Sequence, residues 1–140
     1  MEGLQLVSVV VCDDVLVNVA GRVTLYSIFR DLFADAYPAG VVRLHVVTTW
    51  LNSAHADREV EVVERVAILS PDGVELVADA AATFTIAAGM YHSQISRFRD
   101  IVFPEPGTYR VQVQAGPEVV ADLPLFLTAE TTAETAEEEV

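Results

Sequence analysis

Lysine is absent from the chain: eight arginines carry all of the fixed positive charge, against 21 acidic residues, for a formal net charge of −13 over 140 residues. Its absence removes phosphate-loop lysines, Schiff-base chemistry and lysine general bases. Cysteine is almost as scarce. Cys12 stands alone, which excludes a Cys-x-x-Cys knuckle and an internal disulfide and makes a cytoplasmic location the default. None of the seven glycines stands two residues from another, so no Gly-x-Gly dinucleotide loop exists. There is no Gly-x-Ser-x-Gly elbow to anchor a hydrolase triad. Histidine occurs only at His45, His55 and His92, with no His-x-His or short His-x-x-x-His pair for zinc. No apolar run reaches the ~18 residues of a membrane helix. The opening Met-Glu-Gly-Leu-Gln has no positive segment, so a signal peptide is not expected. The acidic balance argues against nucleic acid and anionic membrane surfaces, because both repel a negative field.

What the chain does contain is apolar residues, at 52%. A disordered polyanion would not be so apolar, and a chain of this length can bury about two-thirds of its unfolded surface. The expectation is one domain over residues 1–128. Residues 129–140, rich in Ala, Thr and Glu, read as an acidic, disordered or weakly helical tail.

The body reads as strands. Residues 4–12 form a nearly continuous apolar run that Asp13-Asp14 is expected to end. Residues 18–21 and Ser70-Pro71-Asp72-Gly73 are turns, with proline presetting φ and glycine taking the left-handed position in the second. Residues 30–40 read as a long connection between sheets, with one helical turn allowed by the spacing of Ile28, Phe29, Leu32 and Phe33. Val62 and Val63 break the alternation of their strand, which suggests a bulge there. Residues 108–115 alternate cleanly, with Tyr109, Val111 and Val113 on one side. Eight or nine short strands without a long amphipathic helix predict an all-β, immunoglobulin-like antiparallel β-sandwich.

Pro106-Gly107-Thr108-Tyr109 has the form of a tyrosine corner, in which the phenol bonds back to the preceding bend. Gly107, Tyr109, Trp50 and Cys12 are therefore read as structural. Further segments carry a wider resemblance: Cys12-Asp13-Asp14, the run Gly21 to Phe29, Tyr37-Pro38, Ser70 to Gly73, Phe103-Pro104-Glu105-Pro106-Gly107-Thr108-Tyr109, and Leu123-Pro124-Leu125. Together they resemble a family of small bacterial single-domain β-sandwich proteins of unknown function. The resemblance implies a compact sandwich and brings no activity, cofactor or catalytic residue. The tail lies outside it.

The candidate chemistry is thin. Asp13 and Asp14 are the nearest approach to a hard-cation site, but calcium needs six to eight oxygens, and aspartates at a strand end ordinarily hold turn backbone. Cys12 beside two carboxylates is disfavoured as a nucleophile. Glu59, Glu61 and Glu64 read as a solvated strand face. His92, Arg97 and Arg99, interleaved with Tyr91 and Phe98, form a local basic cluster that could hold an anion or an acidic segment. The remaining positive signal is a mean hydropathy of +0.39, which suggests an apolar surface for a partner or for self-association. Such a surface is expected on edge strands or around Phe33, Tyr37 and Tyr91. The reading is a non-enzymatic interaction or assembly module with no cofactor. Two alternatives are an anion or small-molecule binder at His92, Arg97 and Arg99, and an enzyme built from scattered Asp13, Asp14 and histidines.

Overall fold

A computed structural model describes residues 3–53 and 58–129. His55 and, apart from Ala129, the tail lie outside these residues. Among the described residues there are nine strands and no helix: β1 Leu4–Val17, β2 Val23–Ile28, β3 Asp31–Ala34, β4 Ala39–Asn52, β5 Val60–Leu69, β6 Leu76–Ile86, β7 Tyr91–Phe103, β8 Gly107–Ala115 and β9 Glu118–Ala129. They form two curled sheets. Sheet A has the order β2-β1-β4-β7, and sheet B the order β3-β9-β8-β5-β6.

Val, Ile, Phe and Tyr in alternation supply each inner face, and the two inner faces make the core. Trp50, Leu44 and Val46 from β4 meet Val62, Val66 and Ile68 from β5, and Val111, Val113 and Leu125 from β8 and β9. The tyrosine corner closes the lower end. Tyr109 is fully buried, donates to the Glu105 carbonyl at 2.7 Å, accepts from the Glu105 N–H, and stands edge-on to Phe103. Gly107, at φ +149°, is needed here because a Cβ would meet Pro71 Cγ at 2.9 Å. The Ser70–Gly73 turn is therefore packed against the corner. Its own geometry is held by Asp72, whose Oδ1 accepts from the Val74 N–H, and by Gly73 at φ +77°.

The structure corrects several expectations. Asp13-Asp14 does not end the first strand. Asp14 stays in register with Tyr26, and β1 runs on to Val17; Arg43 holds both carboxylates, and Asp14 Oδ1 also accepts from the Val15 N–H at 2.8 Å without ending the strand. The 30–40 connection does cross between sheets, but its first part is a strand. β3 pairs parallel with β9, Asp31 opposite Phe126 through Ala34 opposite Ala129, so the sandwich is not wholly antiparallel and no helical turn forms. There is no bulge between Val62 and Val63. Val62 points in, Val63 is half exposed, and Glu64 points in again. The irregularities fall at Leu6/Ser8, Ile68/Leu69 and Val113/Gln114.

Candidate functional site

The residues singled out in the sequence separate onto different parts of this frame. The registers of β2, β1, β4 and β7 place Ile28, Cys12, His45 and Arg97 in one row across sheet A. Residues opposite each other across strands share a face. Val46, Trp50 and Phe98 belong to the core, so this row lies on the outer face. Arg43 and Arg99 are opposite each other in the next row. Arg43 binds Asp13 at 3.0 Å and Asp14 at 3.7 Å. His45 Nδ1 donates to the Asp13 backbone carbonyl at 2.9 Å. Both aspartate carboxylates thus face a guanidinium, and no group of three or more His, Cys, Asp or Glu among the described residues is arranged to hold a metal. Cys12 is fully buried, and its thiol is pushed up from its ordinary value, first by burial and then by Asp13 and Asp14.

The grouping of His92 with Arg97 and Arg99 does not survive the strand geometry. Side chains alternate along β7, and His92 is an odd number of residues from both arginines. It lies on the inner face, stacked on Phe84 of β6 at 4.2 Å, with Nε2 3.0 Å from Gln94 Oε1. Arg97 and Arg99 stay exposed outside. Phe33 and Tyr37 are likewise separated from Tyr91. Phe33 is exposed on β3, and the Tyr37 hydroxyl donates to the Thr128 carbonyl at 2.9 Å, tying the β3–β4 connection to β9. Tyr91 opens β7, the edge strand of sheet A on the opposite side.

Two features of the molecule escape the sequence reading. The first is Glu64, read above as solvated and in fact 1% exposed. Its Oε2 accepts from Thr48 Oγ1 at 2.5 Å and from Trp50 Nε1 at 2.8 Å. Because β4 and β5 belong to different sheets, these bonds tie the sandwich together through its interior. Burial pushes the Glu64 carboxyl above its ordinary value, while the two hydrogen bonds and the nearby His92 oppose the shift. The signal was present in the strict alternation Val62, Glu64, Val66, Ile68, which puts Glu64 in the buried phase.

The second is an apolar groove of about 350 Å³ on the side of the sandwich where β2 passes into β3. One wall is Val9–Val11 of β1 and the other Leu123–Phe126 of β9, with Ile28, Phe29 and Arg30 across one end. Its origin is topological. β2 pairs with β1 only from Cys12 onward. Ser27 is held at φ 54°, and after Ile28 the chain leaves sheet A: the Phe29 N–H bonds the Val11 carbonyl, and the Phe126 N–H bonds the Arg30 carbonyl. Beyond that crossing, no described strand pairs with β1 from Leu4 to Val10 on the side away from β4. Val9 turns its N–H and C=O to the same side as Val11, into that gap.

The family model for a family of unknown function (DUF6941) matches residues 7–128. The chain belongs to this family. The match covers all nine strands except the first residues of β1 and the last of β9, and it assigns no activity. No curated protein matches the sequence. Among solved structures, an alkylpurine DNA glycosylase, AlkC of Pseudomonas fluorescens bound to DNA containing an abasic-site analogue, is similar with a TM-score of 0.51 at 15% identity. The match covers 86% of this chain and 30% of that one, so this chain spans less than a third of the enzyme's length. At that identity the likeness is one of fold alone.

Proposed function

We propose that this member of the family is a non-enzymatic protein-interaction module that docks a protein chain along the side of the sandwich formed by β1, β2, β3 and β9. One observation carries the reading: an unpaired, uncharged length of β1 backbone borders an apolar groove. Exposed strand edges are templates for pairing with another chain, and extended segments that add to such an edge gain main-chain hydrogen bonds and side-chain pockets together. Val7, Ile28, Phe33 and Phe126 are exposed along this side. The net charge of −13 favours a protein partner over nucleic acid. A cytoplasmic setting suits the lone reduced Cys12. No helix among the described residues is long and apolar enough to cross a membrane.

The test is a photo-crosslinking residue placed at Phe126, and separately at Gln112 on the polar outer face of sheet B, in the full-length protein in cells. The reading predicts a discrete protein adduct from position 126 and none from 112. Equal labelling at both, or none at 126, contradicts it.

A second reading rests on Arg97 and Arg99, two exposed guanidiniums that form no ion pair among the described residues. They would hold an anion on the outer face of sheet A without His92. Phosphate binding that persists in an Arg97→Ala, Arg99→Ala double variant disposes of this reading.

A further inference from the structure

The chemistry of the chain that fills the groove can be narrowed. We infer that it is an extended segment of another protein, apolar along most of its length and carrying an acidic side chain at the end that lies against Arg30; the inference rests on the interaction reading above. Three observations converge. The first is the lining. Val9, Val11, Ile28, Leu123 and Leu125 make the walls apolar, and Arg30, at one end, is the lining residue that carries a charge. A pocket of this kind takes an apolar body, and its few polar groups fix how that body is oriented.

The second is the state of that charge. Arg43, Arg65 and Arg110 are each bound to an aspartate of the chain, at 2.6 to 3.0 Å. Arg30 is exposed and forms no ion pair among the described residues. Its neighbour Asp31 lines the adjoining hollow and not the groove, and no ion pair joins the two. A guanidinium left without a carboxylate at the end of an apolar groove is matched by a carboxylate from outside, to which it offers two parallel donors.

The third is the backbone. In an antiparallel ladder the two residues of a hydrogen-bonded pair exchange both bonds. Phe29 gives its N–H to the Val11 carbonyl, but the reciprocal bond is not made as the chain turns away, and the Val11 N–H has no acceptor among the described residues. That N–H and the N–H of Val9 face the groove at the Arg30 end. The irregularity between Leu6 and Ser8 interrupts the ladder beyond Val9. The main-chain contacts open to a docked segment are therefore gathered where the guanidinium stands, so that hydrogen bonds hold its backbone and the charge selects its side chain.

The experiment repeats the position-126 crosslinking in the full-length protein with changes at Arg30, and maps the adducted peptide by mass spectrometry. The adduct should keep most of its yield in Arg30→Lys, fall several-fold in Arg30→Gln, and fall roughly tenfold or more in Arg30→Glu, which sets two carboxylates against each other. Arg22→Glu, at an exposed arginine just before β2, should leave it unchanged. The mapped peptide should hold an acidic residue beside an uncharged apolar stretch. Far-UV circular dichroism and the urea midpoint check that each variant folds as the parent does. An adduct indifferent to Arg30→Glu, or one mapped to a peptide with no acid beside its apolar stretch, overturns the inference and leaves the interaction reading standing. An adduct mapped to a second copy of this chain overturns the inference as well. No adduct at position 126 in the parent overturns both.

Discussion

On the β6–β7 side the two sheets are held together from within. Glu64 reaches from β5 to Thr48 and Trp50 of β4, Phe84 of β6 stacks on His92 of β7, and Asn52 Nδ2 donates to the Ile86 carbonyl at 3.0 Å. On the β2–β3 side the chain crosses once, at Phe29 and Arg30, and beyond the crossing leaves a bare length of β1 above an apolar groove. The first side ties buried polar groups to one another across the core. The second leaves backbone groups of β1 unpaired beside exposed apolar side chains. The outer faces do not repeat the contrast: sheet B carries the ion pairs Arg65–Asp79 and Arg110–Asp122, and sheet A carries Arg43–Asp13 beside exposed Tyr26 and Ile28. A sandwich can therefore be closed on one side for stability and left open on the other for contact.

If the closed side is structural, damage there should be severe. Glu64→Ala leaves a cavity and deprives the Thr48 hydroxyl and the Trp50 N–H of their shortest acceptor, and should cost about 2–5 kcal/mol in urea unfolding. A cost no larger than that of a surface change would remove the interior tie from the account. Tyr109→Phe should cost about 1–2 kcal/mol, since it deletes both hydrogen bonds of the corner and keeps the ring against Phe103.

Glu64→Gln gives a test that depends on pH. The native carboxyl titrates above its ordinary 4.5, so over the window from 4.5 upward the folded state binds the proton more tightly than the unfolded state does. Protonated Glu64 thus contributes stability that is fully present below pH 4.5 and is lost as pH rises through the native value. The glutamine variant has no such loss. Its stability relative to the parent should climb from pH 4.5 toward neutrality and level off once the native carboxyl has ionised. A flat difference over that range would mean that the hydrogen bonds from Thr48 and Trp50 and the nearby His92 fully offset the burial of the carboxyl.

Changes on the open side should have the opposite profile. Ile28→Lys should alter stability by about 0.5 kcal/mol or less while weakening the position-126 adduct. The smallest effect belongs to Arg110→Ala, which breaks an exposed ion pair on the polar face of sheet B. The unfolding midpoint should not move measurably.

Much of this frame was readable in advance, for local reasons. The Ser70–Gly73 turn, the tyrosine corner and the alternation of β8 each depend on residues close in sequence, whose φ preferences and period-two pattern act without tertiary help. The misses depend on partners distant in sequence. Asp13-Asp14 looks like a strand stop until Arg43, thirty residues on, takes up the carboxylates. Asp31 to Ala34 becomes a strand only because β9 lies beside it. Glu64 looks solvated by composition and is buried by phase, and the donors that make its burial tolerable sit on β4. The groove was invisible for the same reason. It lies where β1 has no neighbour, and only the sheet order locates it.

The most direct measurement is amide hydrogen exchange at Val9 in the full-length protein, alone and with the chain recovered from the position-126 adduct. The account predicts an amide that exchanges freely in the protein alone and is protected once that chain is bound, while the amides of β5 stay protected throughout. A Val9 amide that exchanges as rapidly in the complex as in the free protein would contradict the claim that this edge is where the molecule makes its contact.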